Sequence, residues 1–150
     1  MRKVIFALLL LSALNFSCSK KDDSSGKTNA ELIIGNWKVT GLTFSPAYDY
    51  DGDGLKETNA FAKMGSCEKD NVISFLAGGV WKNDEGPTKC SVADPQTLTG
   101  VWALSSDDVT INIDGDIGLI TFLNNSTLQI SLVFSESGVT YTETFNFQRL

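Results

Sequence analysis

The sequence predicts an all-β domain, an eight-stranded antiparallel up-and-down barrel entered by one short helix. Three observations predict it. Apolar and polar residues alternate with a period of two in most segments after Asn36, the mark of strands with one buried and one wet face. Compact turn signals separate those segments at Gly78-Gly79, Ser106-Asp107-Asp108, Asp114-Gly115-Asp116, Asn124-Asn125 and Glu136-Ser137-Gly138. No helical pattern is on hand to cover a sheet edge, so closure of the sheet on itself is the economical arrangement, with a two-sheet sandwich as the alternative.

The chain opens with Arg2-Lys3, an apolar run from Val4 to Leu14, and Ser17 before Cys18. A cationic start, a short apolar core and a small residue before a cysteine read as a lipoprotein signal peptide over residues 1–17, cleaved at Cys18, which would then carry the lipid. Asn15 and Phe16 depart from the usual pattern, which places Leu three positions before the cysteine, so an ordinary secretory signal or a plain apolar anchor is the alternative. The run is well short of the roughly 20 residues that cross a bilayer as a helix. Residues 18–28 hold nothing to bury and form a flexible tether. Its Ser19-Lys20-Lys21-Asp22-Asp23 resembles the acidic tag that sends certain Gram-negative lipoproteins to the outer cell surface; a merely soluble linker has the same composition.

The folded domain is expected over residues 29–150. Thr28 can cap a short helix, Glu31 can complete its capping box, and Gly35 can end it. Eight strands follow, near residues 36–44, 71–77, 80–84, 98–105, 108–113, 117–123, 127–135 and 139–148. The alternation is cleanest in Val109, Ile111 and Ile113, in Leu128, Ile130, Leu132 and Phe134, and in Val139, Tyr141, Phe145 and Phe147. The stretch 45–70 is long for a plain connection, and such loops are usually functional or disordered.

Composition excludes several functions. Twelve cations and 18 acids give a net charge of −6, and losing Arg2 and Lys3 with the leader takes it to −8. An acidic surface does not suit nucleic acid, whose phosphates need a basic footprint, nor electrostatic docking on anionic lipid. The chain has no histidine, which removes Ser-His-Asp and Cys-His catalysis and His-ligated metals. No enzyme is expected. Of three cysteines, Cys18 belongs to the leader; Cys67 and Cys90 are expected to pair in an exported protein, with two buried thiols as the alternative. The bond would contribute about 3 kcal/mol by the chain-entropy argument.

Asp49, Asp51 and Asp53 with Gly54 match the opening of a calcium loop, in which alternate carboxylates converge and a glycine permits the turn after the third ligand. The Leu55 carbonyl and Glu57 hold the next ligand positions. The twelfth position, where a bidentate Glu closes the shell, is Ala60, so Asn59, Glu68, Asp70 or water would have to close it. An acidic surface turn is the alternative. Calcium here would be weak and structural, ordering the loop beside the cysteine pair.

Asp107-Asp108 and Asp114-x-Asp116 read as solvated turn residues rather than paired catalytic carboxylates. Glu143 falls in phase with Tyr141 and Phe145 on the apolar face, where an ion pair with Arg149 or a lysine is expected and a ligand contact is the alternative. Trp81, Trp102, Tyr141, Glu143 and Phe145, with Phe75, Phe122, Phe134 and Phe147, could line a cavity or fill the barrel.

Gly35-Asn36-Trp37, entering the first strand after a short helix, resembles the lipocalin signature. That resemblance implies that Trp37 closes the barrel base and that Arg149, after the last strand, packs across it. Asp49 to Gly54, Cys67-Glu68-Lys69-Asp70-Asn71, Phe75 and Gly79, Lys89-Cys90 and Gly100-Val101-Trp102-Ala103-Leu104 resemble the lipocalin-like domain of bacterial exported lipoproteins over roughly residues 30–150. It implies the fold and an exported, lipid-anchored address more than an activity. The expected protein is a monomeric module of the outer membrane, cell-surface exposed or periplasm-facing, that holds a small apolar or amphipathic ligand. A solid barrel that meets a partner through its loops is the alternative, and interior volume separates the two.

Overall fold

The computed structural model describes residues 26–150. The leader and the lipidation at Cys18 lie outside the described residues. Helix α1 (Asn29–Ile33) leads into β1 (Gly35–Tyr48), β2 (Glu57–Asn59), a 3₁₀ turn (Ala60–Ala62), α2 (Ser66–Lys69), β3 (Val72–Leu76), β4 (Val80–Asp84), β5 (Thr97–Leu104), β6 (Thr110–Ile113), β7 (Asp116–Leu123), β8 (Thr127–Glu136) and β9 (Val139–Arg149). The strands from β3 to β9 pair in sequence order, β1 pairs with β3, and β1 also pairs with β9 from Trp37↔Arg149 to Ser45↔Thr142. The sheet therefore closes into an eight-strand antiparallel barrel, and a sandwich is excluded. The sequence did not signal β2. It adds to the free edge of β1 beyond β3, with Thr43 opposite Asn59 and Tyr48 opposite Glu57, and so covers a strand edge that would otherwise be open.

Tight turns fix the register. The β6–β7 turn holds Asp114 at φ 52° and Gly115 at φ 107°; the β8–β9 turn holds Ser137 at φ 51° and Gly138 at φ 79°. Both pairs have positive φ at two central residues, which matches the twist of a two-residue hairpin.

Two bulges change which residues face inward. In β1, Val39 pairs with Phe147 and Gly41 with Asn146, so Thr40 is extra. After it the phase reverses, and Leu42 and Phe44 become the buried positions. In β7, Ile120 pairs with Ile130 and Phe122 with Gln129, so Thr121 is extra. Phe122 is thereby turned outward and is 51% exposed, which removes it from the barrel interior.

The base of the barrel is built around Trp37, which is 0% exposed. α1 lies beneath it with Leu32 and Ile33 buried. Thr28 accepts from the Glu31 amide and Glu31 returns the bond to the Thr28 amide, the expected capping box. At its other end a helix leaves carbonyls without partners. Here Trp37 Nε1 donates to the Ile33 carbonyl at 2.7 Å, Arg149 Nη1 donates to that of Ile34 at 2.7 Å, and Arg149 Nη2 donates to that of Leu32. The same guanidinium stacks over the Trp37 ring at 4.2 Å and donates through Nε to Asn125 O at 2.6 Å. Gly35, at φ 144°, is required: a Cβ there would collide with Arg149 Nη1.

Cys67 and Cys90 form a disulfide with a Cα–Cα separation of 5.1 Å. It joins α2 to the loop after β4.

Replacing Trp37 with Ala removes the largest side chain of the base. A loss of about 3–5 kcal/mol is expected in urea unfolding. Gly35→Ala should also destabilise, and its loss should shrink in the Arg149→Ala background; equal losses in both backgrounds would contradict the close approach described.

Candidate functional site

The barrel holds a partly open cavity of about 450 Å³. Its floor and walls are apolar: Val39, Ile73, Phe75, Ile111, Ile130 and Phe147. The cavity exists because bulk is distributed unevenly around the barrel. Phe44, Tyr48, Phe134 and Tyr141 pack together on β1, β8 and β9, with ring centroids 5.0–6.2 Å apart. On β7, next to β8, Gly118 stands at an inward position, and the Ile130 side chain takes the space a Cβ would occupy. One side is therefore filled and the other is open.

Tyr50, Met64 and Glu68 bring the segment between β1 and β3 over the cavity. Tyr50 Oη donates to Glu68 Oε1 at 3.3 Å, and Glu68 Oε2 accepts from the Gly65 amide at 2.6 Å. Burial, and then the Glu68 carboxylate, push the Tyr50 phenol up to about 12. Met64 and Phe61 pack against both clusters of the core. The disulfide holds this segment to the loop after β4, so the cover over the cavity is stapled to the wall.

Of the expected cavity residues, Phe75, Trp81, Phe145 and Phe147 line it. Trp81 is set by Asp114: its Nε1 donates to Oδ2 at 2.8 Å, while Oδ1 accepts from the Val101 amide at 2.8 Å. Gly100 lies opposite Trp81, where a side chain would collide with that pair. Asp114 is thus a positioning residue as well as a turn residue. Asp116 also lines the cavity. Alternation alone could not separate these two acids from solvated turn residues.

Trp102, Tyr141 and Glu143 do not line the cavity. Trp102 is packed edge-on against Phe75 at 5.5 Å, and its Nε1 donates to Leu76 O at 3.1 Å. Tyr141 belongs to the filled aromatic side, stacked on Phe134 at 5.3 Å. Glu143 stands opposite Phe44 on one side and Leu132 on the other. It does not pair with Arg149, which is committed to the base, and the ion pairs among the described residues all belong to Lys63. Burial raises the Glu143 carboxyl above its ordinary value.

The Asp-Gly segment adopts a calcium-loop arrangement in part. Asp49 Oδ2 accepts from the Gly54 amide at 3.0 Å, Asp51 Oδ1 from that of Asp53 at 3.3 Å, and Asp53 Oδ1 from that of Leu55 at 2.8 Å. Asp49, Asp51 and Glu57 converge, with one ligand atom of each within 4.8 Å of the others. Asp49 Oδ1 is buried without a hydrogen-bond partner. Those three residues fit a small hard cation. Asp53 is drawn off: its Oδ2 meets Lys63 Nζ at 2.7 Å, which with the Leu55 amide holds its carboxyl below the usual range. Leu55 is exposed and shows no inward contact. Ala60 is fully buried under Leu42 and Phe44, so the twelfth position is a packing position. Glu68 serves Tyr50, and Asp70 Oδ2 accepts from Thr88 N at 3.1 Å, so neither closes the shell. Lys63 lies 3.1 Å from Asp51 and 3.5 Å from Glu57, which makes its ammonium the neutralising charge of the loop. The hydrogen bonds with Asp53 and Asp51 raise its pKa.

No family model and no curated protein matches the chain.

A carboxyl whose folded-state pKa is raised binds its proton more tightly in the folded chain. Its penalty is absent below the ordinary value of 4.5 and grows as pH rises through the folded pKa. Glu143→Gln should therefore raise the melting temperature at neutral pH, with the gain vanishing in acid below that value. A gain that is constant across pH would contradict a buried, unpaired carboxylate.

Proposed function

We propose that this protein is a lipid-anchored, lipocalin-like binding module of the bacterial outer membrane that holds a small apolar or amphipathic ligand inside its barrel. The single observation that supports this reading is the cavity. At about 450 Å³ it falls within the usual range for small-molecule sites, and a few polar groups meet a mainly apolar wall, as such sites require. A filled barrel acting only through its loops would have no such space. The lack of histidine favours binding over catalysis. The resemblance of Gly35-Asn36-Trp37 and its Arg149 partner to the lipocalin base supports the family reading. The pattern ending at Cys18 supports the anchor.

Native mass spectrometry of protein purified from its own host should show a population heavier than the apoprotein by one small molecule. Only apoprotein, under conditions that preserve apolar complexes, would contradict the ligand. In the same host, Cys18→Ser should move the protein from the membrane fraction to the soluble fraction; unchanged membrane association would contradict the lipid anchor.

We propose further that Asp49, Asp51 and Glu57 take calcium weakly, with Lys63 leaving as the ion enters. The buried, unpartnered Asp49 Oδ1 supports this. Affinity is expected near 10⁻⁴–10⁻³ M. At ten times the dissociation constant the ion should stabilise the fold by about 1.4 kcal/mol. Lys63→Gln should tighten calcium binding and Asp49→Asn should abolish it. A melting temperature indifferent to calcium and to EDTA in all three proteins would contradict the site.

A further inference from the structure

The cavity's charged groups all have one sign. Among the described residues those that line it are Glu68 and Asp116, and no lysine or arginine does. Tyr50 is the one hydroxyl on the wall, and its proton is already given to Glu68. The Asn71 amide nitrogen is turned to the carbonyls of Cys67 and Glu85, at 2.8 and 3.0 Å. Asn83 lines the cavity, and its Oδ1 is buried without a hydrogen-bond partner. Of the lysines of the covering segment, Lys63 meets Asp51, Asp53 and Glu57, Lys69 lies over the Phe61 ring at 5.0 Å, and Lys56 is exposed and does not line the cavity. The charge that remains on the wall is negative. A carboxylate ligand would face two like charges with no cation among the described lining residues to meet it. A ligand that carries positive charge would offset Glu68 and Asp116. Trp81 adds an aromatic surface suited to a cation.

We propose that the cavity selects amphipathic amines, with an apolar body lying among Phe75, Ile111, Ile130 and Phe145 and an ammonium end drawn to Glu68 and Asp116. This rests on the ligand-binding reading above and narrows it to one chemical class. It also separates that class from fatty acids, whose apolar bodies are the same but whose heads have the opposite charge.

The test is displacement of an apolar reporter dye from the mature full-length protein by decylamine, decanol and decanoate at neutral pH and low salt. Decylamine should bind at least about tenfold more tightly than decanol, with decanoate weakest. The advantage of the amine should shrink at high salt. The ratio of decylamine to decanol affinity should also shrink in Asp116→Asn. Decyltrimethylammonium carries the same charge and should also bind more tightly than decanol; binding no better than decanol would overturn the part given to charge. If all three ten-carbon probes bind alike, or decanoate binds best, the amine preference is overturned and the cavity reading stands. If the dye and every probe fail to bind, the cavity reading falls with it.

Discussion

The stacking of Arg149 on Trp37 is the constraint on which the rest of the fold depends. A barrel closed by pairing its first and last strands still has two open ends, and its interior stays apolar only if the ends are sealed. Here the last residue of β9 reaches beneath the first residues of β1 and covers the tryptophan at 4.2 Å. Its guanidinium donates to the carbonyls of Leu32, Ile34 and Asn125. One side chain thus satisfies helix carbonyls that would otherwise be left open, ties α1 to the floor, and fixes the seam between β1 and β9. A lysine could supply the charge but not the planar fork that reaches several carbonyls while stacked.

With the floor fixed, interior space follows from where bulk is placed. The bulge at Thr40 brings Leu42 and Phe44 inward, and Phe44 joins Tyr48, Phe134 and Tyr141 to fill one side. The cavity lies beyond that cluster, lined by Phe75, Ile111, Ile130 and Phe145. Glu143, half-buried beside the filled side, has no ion-pair partner among the described residues, and its burial raises the carboxyl pKa. The long segment after β1 then closes over the opening. It is held by the disulfide and by the Tyr50–Glu68 contact rather than by strand pairing.

Much of this was legible in the sequence. Period-two alternation and the positive-φ turn residues placed the eight barrel strands within a few residues of their observed limits, except at the end of β1. That strand runs on through Pro46 to Tyr48 because β9 continues to pair with it as far as Ser45 and β2 covers its far end. The bulges were not legible, since one extra residue reverses the inward phase without altering composition. Phe122 was consequently placed inside, and the inward turn of Leu42 and Phe44 went unread. Gly41, beside the extra Thr40, was the available signal. The cavity itself could not be read from aromatic content, because Trp102 and Tyr141 serve packing while Trp81 and Phe145 serve the wall. That division depends on neighbours distant in sequence. Asp114 and Asp116 share one turn, yet one aims Trp81 and the other lines the cavity. In the Asp-Gly loop the spacing gave the local turns correctly, but not the arrival of Lys63 from beyond β2.

The central claim is that this barrel is sealed at its base and open within. A crystal structure of the protein under xenon pressure tests it most directly, since xenon enters dry apolar cavities and scatters strongly. The account predicts xenon between Phe75, Ile111, Ile130 and Phe145, above an intact Arg149–Trp37 stack. An interior filled by Trp81, Met64 and Phe145, with no xenon site, would contradict it.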